Sequence, residues 1–92
     1  MHLEIVSPEA TLFSGEVVSV IVPGTTGSFQ MLNNHAPIVS TLKEGIVTIS
    51  GKMDLDVAVK NKFKQQDANT TLFEISSGTV EMRDNRLILL AD

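Results

Sequence analysis

The feature that most constrains this chain is its punctuation. Short apolar stretches rich in Val and Ile are cut off repeatedly by Gly, Pro, Asn, Asp and Ser. Leu3 to Ile5 alternates and stops at Ser7-Pro8. Glu16 to Val22 is β-branched, apolar on both faces, and ends at Pro23-Gly24. Phe29 and Met31 alternate with Ser28 and Gln30. Ile38 to Leu42, Ile46 to Ile49, Leu72 to Ile75, Val80 to Met82 and Leu87 to Leu90 continue the series. Turns are expected at Ser14-Gly15, Lys43-Glu44-Gly45, Ser77-Gly78 and Asp84-Asn85. A helix needs apolar residues recurring every third or fourth position over several turns, and that period is nowhere sustained. The expectation is an all-β protein, a flattened sandwich or barrel of short strands in one domain over residues 1–92.

The middle of the chain reads less plainly. Met53, Leu55, Val57 and Val59 alternate with Asp54 and Asp56, which predicts a half-exposed strand. Gln65 to Thr70 is polar apart from Ala68 and reads as a loop. Lys60, Lys62 and Lys64 would then share one face of a strand, either an edge blunted by lysines or a surface for an acidic partner.

Composition narrows the functions open to it. A 92-residue domain buries only roughly 60–65% of its extended surface, so every strand must feed one core. With no Trp or Tyr and four Phe, that core must be built largely from Val, Ile and Leu. The absence of Cys excludes disulfides, thiolate metal sites and thiol redox chemistry. A net charge of −4 leaves no basic stripe for phosphates, so no nucleic-acid partner is expected. The first residues lack the basic and apolar regions of a signal peptide, and the stretch Val17–Leu42 is broken by Pro23, Gly24, Gly27 and Pro37. A soluble chain with no direct lipid insertion follows as an expectation.

Motifs of chemistry are weak. Pro23-Gly24-Thr25-Thr26-Gly27 lacks the Lys-Ser/Thr pair of a phosphate loop and reads as a connecting turn. Asp54 and Asp56 alone are too few oxygen ligands for a cation, so no metal or cofactor is expected. Asn69-Thr70-Thr71 is a glycosylation sequon without meaning unless the chain is secreted. His2 and His35 have no nucleophile in a recognisable motif beside them, although a Ser-His-acid set can assemble in space. One oddity stands out. From Val17 through Leu42 there is no Asp, Glu, Lys or Arg, and only His35 titrates. Central strands would account for it, and so would a docking surface, since charge is depleted at interface cores.

Several motifs in order resemble the ε subunit of F-type ATP synthases, the counterpart of the mitochondrial δ subunit. They are Ile5-Val6-Ser7-Pro8-Glu9, Leu12-Phe13-Ser14-Gly15-Glu16-Val17, Val22-Pro23-Gly24 with Gly27 and Phe29, and Leu32 with His35-Ala36-Pro37. Leu42-Lys43-Glu44-Gly45, Ser77-Gly78-Thr79-Val80-Glu81-Met82 with Asn85, and Leu89-Leu90-Ala91-Asp92 complete them. The resemblance implies the family's N-terminal β-sandwich of about ten strands. It implies a non-catalytic, cofactor-free rotor part that binds the γ subunit and rests on the polar loops of the membrane c-ring. Such a part would be present once per complex, on the cytoplasmic face of the bacterial inner membrane, and would be a monomer when isolated. By the same resemblance the turn from Gly24 to His35, with Ser28, Asn33, Asn34 and His35, would face the ring. Ser40 and Ser77, Gly78 and Thr79 would face γ. Ser28 stands where many members carry Glu, and Asn33-Asn34 where many carry Pro-Gly. Family members usually continue into a C-terminal helical hairpin that carries inhibition. Its absence from these residues implies coupling without inhibition of ATP hydrolysis. The rival readings are a β-sandwich with a concave ligand pocket and an enzyme with a perturbed titratable cleft.

Overall fold

In a computed structural model covering residues 1–92, ten strands form one sheet that curls over on itself. In chain order they are β1 (His2–Val6), β2 (Thr11–Glu16), β3 (Ser19–Gly24), β4 (Gly27–Leu32), β5 (Ile38–Leu42), β6 (Gly45–Ser50), β7 (Phe63–Asp67), β8 (Thr70–Ile75), β9 (Gly78–Arg83) and β10 (Arg86–Ala91). A single 3-10 turn at Lys60–Lys62 precedes β7. No helix is long and apolar enough to cross a membrane.

The sheet runs β2-β1-β10-β9-β5-β3-β6-β8-β7, with β4 on the other side of β3. Only β1 and β10 pair in parallel; every other pair is antiparallel. Period-two alternation turns one set of side chains inward from both halves. The core holds Leu3, Ile5, Val20, Val22, Met31, Val47, Ile49, Val80, Met82, Leu87 and Leu89 among its 19 buried residues. Phe13 and Phe73 are buried with them, and Phe63 stacks on Phe73 at 4.9 Å.

The fold turns at β3. Its first half pairs with β6 and its last residue, Gly24, with Leu42 of β5. Pro23 sits in the gap between the two neighbours, where its missing N–H costs no ladder bond. Its carbonyl still accepts from the Lys43 N–H at 2.9 Å. A Cβ on Gly45 would come within 2.8 Å of the Pro23 side chain, so the corner needs glycine there. The β9–β10 hairpin closes on Asp84 and Asn85 at φ 52° and 59°, the two left-handed residues that a twist-compatible two-residue turn requires.

Four sequence expectations change. Ser14 and Gly15 lie inside β2, and the chain turns instead at Val17-Val18, where the Val17 N–H donates to the Met1 carbonyl. Met53 to Val59 is an irregular strap rather than a strand. Met53, Leu55 and Val59 pack on the core, whereas Val57 is 88% exposed. Gln65 to Asp67 is strand, and the turn shrinks to Ala68-Asn69. After the half-buried Phe63, β7 is exposed on both faces and betrays no burial pattern, because backbone bonds to β8 hold it. Lys60 and Lys62 fall in the 3-10 turn and only Lys64 in β7, so the three lysines do not share a strand face.

Candidate docking surfaces

The segment read as one turn from Gly24 to His35 is a hairpin arm with a turn at each end. Ser28 lies beside the Thr25-Thr26 tip and pairs with Pro23. Asn33, Asn34 and His35 follow the far end of β4. Five residues of strand place Ser28 and Asn33 about 16 Å apart. The structure therefore brings together Asn33, Asn34 and His35, and sets Ser28 at the opposite end.

The Asn33–His35 turn is built into its surroundings. The His35 N–H donates to the Leu32 carbonyl at 3.1 Å, and the Asn34 N–H to Asn85 Oδ1 at 2.8 Å. Asn33 Oδ1 accepts from the α-amino group of Met1. Asn34 adopts φ 61°, a conformation asparagine tolerates better than most residues. This end of the molecule is thus one polar network joining β1, β4 and the β9–β10 turn.

The second group divides as well. Ser40 pairs with Val80, a buried residue, and so sits on the inward-facing side of β5. Thr79 pairs with Thr41 and with Leu90, and those three stand on the outer side. Ser77 and Gly78 lie at the start of β9, where Ser77 Oγ donates to the Asp92 carboxylate. A Cβ on Gly78 would come within 2.4 Å of the Leu90 carbonyl oxygen, so β9 and β10 meet there at a distance only glycine allows.

Around Thr79 lies a surface that motif reading missed. Strand register lines up Val6, Leu90, Thr79 and Thr41 in one outer row, and Glu4, Ile88, Glu81 and Val39 in the next. Val39 is 73% exposed and Leu90 48%, large values for apolar side chains in a small domain. A hollow of about 290 Å³ opens between Val39, Thr79, Val80, Glu81, Ile88 and Leu90. The signal was present in the sequence: Val39 and Leu90 are the apolar members of strands whose alternate residues already fill the core.

One set with a catalytic look does assemble. His2 Nε2 stands 3.1 Å from Ser14 Oγ, and His2 Nδ1 3.3 Å from Glu16. These are cross-strand neighbours on the face of β1 and β2, the ordinary result of His2 pairing with Glu16. None of the surface hollows is lined by these residues, and no cleft holds a substrate beside donors aimed at a developing oxyanion.

Comparison with known proteins places the chain. The family model described as the ATP synthase, Delta/Epsilon chain, beta-sandwich domain matches residues 1–61. The ATP synthase epsilon chain of Campylobacter curvus is 37% identical over 92 residues, all of this chain and 60% of that one. The ATP synthase epsilon chain of Caulobacter vibrioides is also 37% identical over 92 residues, but there the match spans 90% of the relative. The chain thus spans about three fifths of some relatives and nearly all of others. A chain in the central stalk and c-ring structure of Tetrahymena thermophila mitochondrial ATP synthase superposes with a TM-score of 0.68 at 16% identity. It covers 99% of this chain and 62% of that one, a likeness of fold.

Proposed function

Because this chain belongs to the ATP synthase delta/epsilon β-sandwich family, we propose that it is a non-catalytic part of the central stalk that joins the γ shaft to the membrane c-ring. It does no bond chemistry. It transmits torque, so that ion-driven rotation of the ring reaches the catalytic head. Its place is the cytoplasmic face of the bacterial membrane, held there by protein contacts and needing no cofactor.

The observation that carries this reading is the outer face of β5, β9 and β10. Apolar Val39 on β5 and Ile88 and Leu90 on β10 flank Glu81 and Thr79 on β9, with Thr41 and Glu4 in the same two outer rows. A γ surface with apolar side chains on either side of a basic group complements it. Thr79 belongs to this face, Ser77 and Gly78 border it, and Ser40 supports it from the inward-facing side. The Asn33–His35 turn, which adjoins the Met1 α-amino group and the Asp84-Asn85 turn, and the uncharged Ser28 tip are the two ends available to the ring.

Co-expression with tagged γ tests the role. Recovery of a stable pair supports it, and failure of γ to retain the chain at micromolar concentration refutes it.

A further inference from the structure

Three strands, β2, β4 and β7, have a neighbour on one side only. Two of these free edges are guarded. The β1–β2 register slips between Ile5 and Val6, and β2 ends in Glu16. The β7–β8 register slips between Gln65 and Asp67, and β7 carries Lys64 and Asp67. Bulges and charges of this kind stop an edge from pairing with another chain.

β4 carries none of these guards. Gly27 to Leu32 keeps register with β3 through six consecutive pairs, without a bulge, a charge or a proline. The Pro23 carbonyl points toward β5, where it accepts from Lys43. Successive strand residues alternate sides, so Val22 and Gly24 turn toward β4, and their partners Phe29 and Gly27 turn back toward β3. The backbone groups of Ser28, Gln30 and Leu32 are therefore the ones directed outward, the Leu32 carbonyl already accepting one bond from the His35 N–H.

We propose that β4 pairs antiparallel with β4 of a second copy of this chain, with Gln30 opposite Gln30 on the twofold axis. Backbone direction and side-chain face alternate together and limit the pairing to registers two residues apart. Opposed residues must both direct their backbone groups outward, and Ser28 opposite Leu32 and Gln30 opposite Gln30 satisfy this. Opposed residues must also share a face, and the register sets Phe29 across Met31 on the core side and Ser28 across Leu32 on the other. A slip of one residue violates both conditions, and a slip of two sets Ser28 or Leu32 opposite a turn residue, so only this register pairs all three outward residues within the strand. An uncharged edge also brings no repulsion to its own copy, whereas a charged strand would find no counter-charge on it.

Two six-residue strands bury well under the roughly 1,200 Å² of a stable interface, so the dimer forms only at about 0.1–1 mM chain. The dimer would cover β4, Ser28 included, only where the chain is concentrated to that range.

Sedimentation velocity on the purified chain from about 20 µM to about 2 mM should show monomer giving way to dimer. Gln30→Lys, which sets two ammonium groups face to face across the axis, should weaken dimerisation about fivefold or more. Gln65→Lys on β7 should leave it unchanged. Amide exchange supplies the register: Ser28, Gln30 and Leu32 should slow as concentration rises, and Phe29 and Met31 should not. A monomer at every concentration overturns the proposal. So does a dimer that tolerates Gln30→Lys, or slowing at Phe29 and Met31 instead.

Discussion

The outer face of β5, β9 and β10 can be tested by truncating its two most exposed apolar side chains. Val39→Ala removes two carbons from a residue that is 73% exposed, and Leu90→Ala three from one that is 48% exposed. Docking can bury only the fraction that is still exposed. At about 0.8 kcal/mol per buried carbon, Val39 supplies about 1.2 kcal/mol and Leu90 about the same. The double variant should thus lose about 2.3 kcal/mol of γ affinity, about 40-fold in Kd. Folding should barely notice, because surface truncations fall within about 0.5 kcal/mol. Titration calorimetry against purified γ reads the first quantity and urea denaturation the second. The reasoning fails if the double variant stays folded and binds γ within about twofold of the parent. A loss of both folding and binding would mean that these side chains serve the core, contrary to their exposure.

Gly78→Ala should destabilise the fold by roughly 1–3 kcal/mol, because the new methyl meets the Leu90 carbonyl oxygen rather than a side chain that can swing away; the urea midpoint checks this. Ser28→Glu and Asn34→Glu, made singly, should differ in their effect on attachment to the c-ring, since they lie at opposite ends of β4; equal effects in a membrane-binding assay would refute one-ended contact. Catalytic core reconstituted with these 92 residues should hydrolyse ATP as fast as without them, because the strands supply no helix to reach into the head; strong inhibition in a coupled assay would contradict it.

Strand positions were legible wherever burial was one-sided. Ile38 to Leu42 coincides with β5, and the stretches at Ile46, Leu72, Val80 and Leu87 fall inside β6, β8, β9 and β10. Asp84-Asn85 announced its turn because only a few residue types accept two left-handed conformations in succession. The misread parts share a cause, in that their side chains do not report their backbone. β7 is held by backbone bonds and shows no alternation. The Met53–Val59 strap has alternation in sequence without a ladder: lying irregularly over the core, it packs Met53, Leu55 and Val59 inward and leaves Val57 exposed. Ser14-Gly15 looks like a turn, yet an edge strand tolerates both, and Gly15 leaves room for the ring of Phe13.

The uncharged run from Val17 to Leu42 shows why the site was harder to read than the fold. Central strands and a docking surface were equally good explanations, and both apply to different parts of it. β3 avoids charge because it has neighbours on both sides and a buried inner face. β5 is uncharged because its inward residues meet Val80 and Met82 while Val39 and Thr41 face outward beside Thr79 and Leu90. Burial explains the neutrality of β4 only at Phe29 and Met31, since Ser28, Gln30 and Leu32 are all exposed on a free edge. Solubility alone would favour a charged residue there, as β7 shows by carrying Lys64 and Asp67 on another free edge. Neutrality at an exposed strand edge costs a protein its protection against pairing. That makes β4, more than the buried strands around it, the part of the run whose composition calls for a partner.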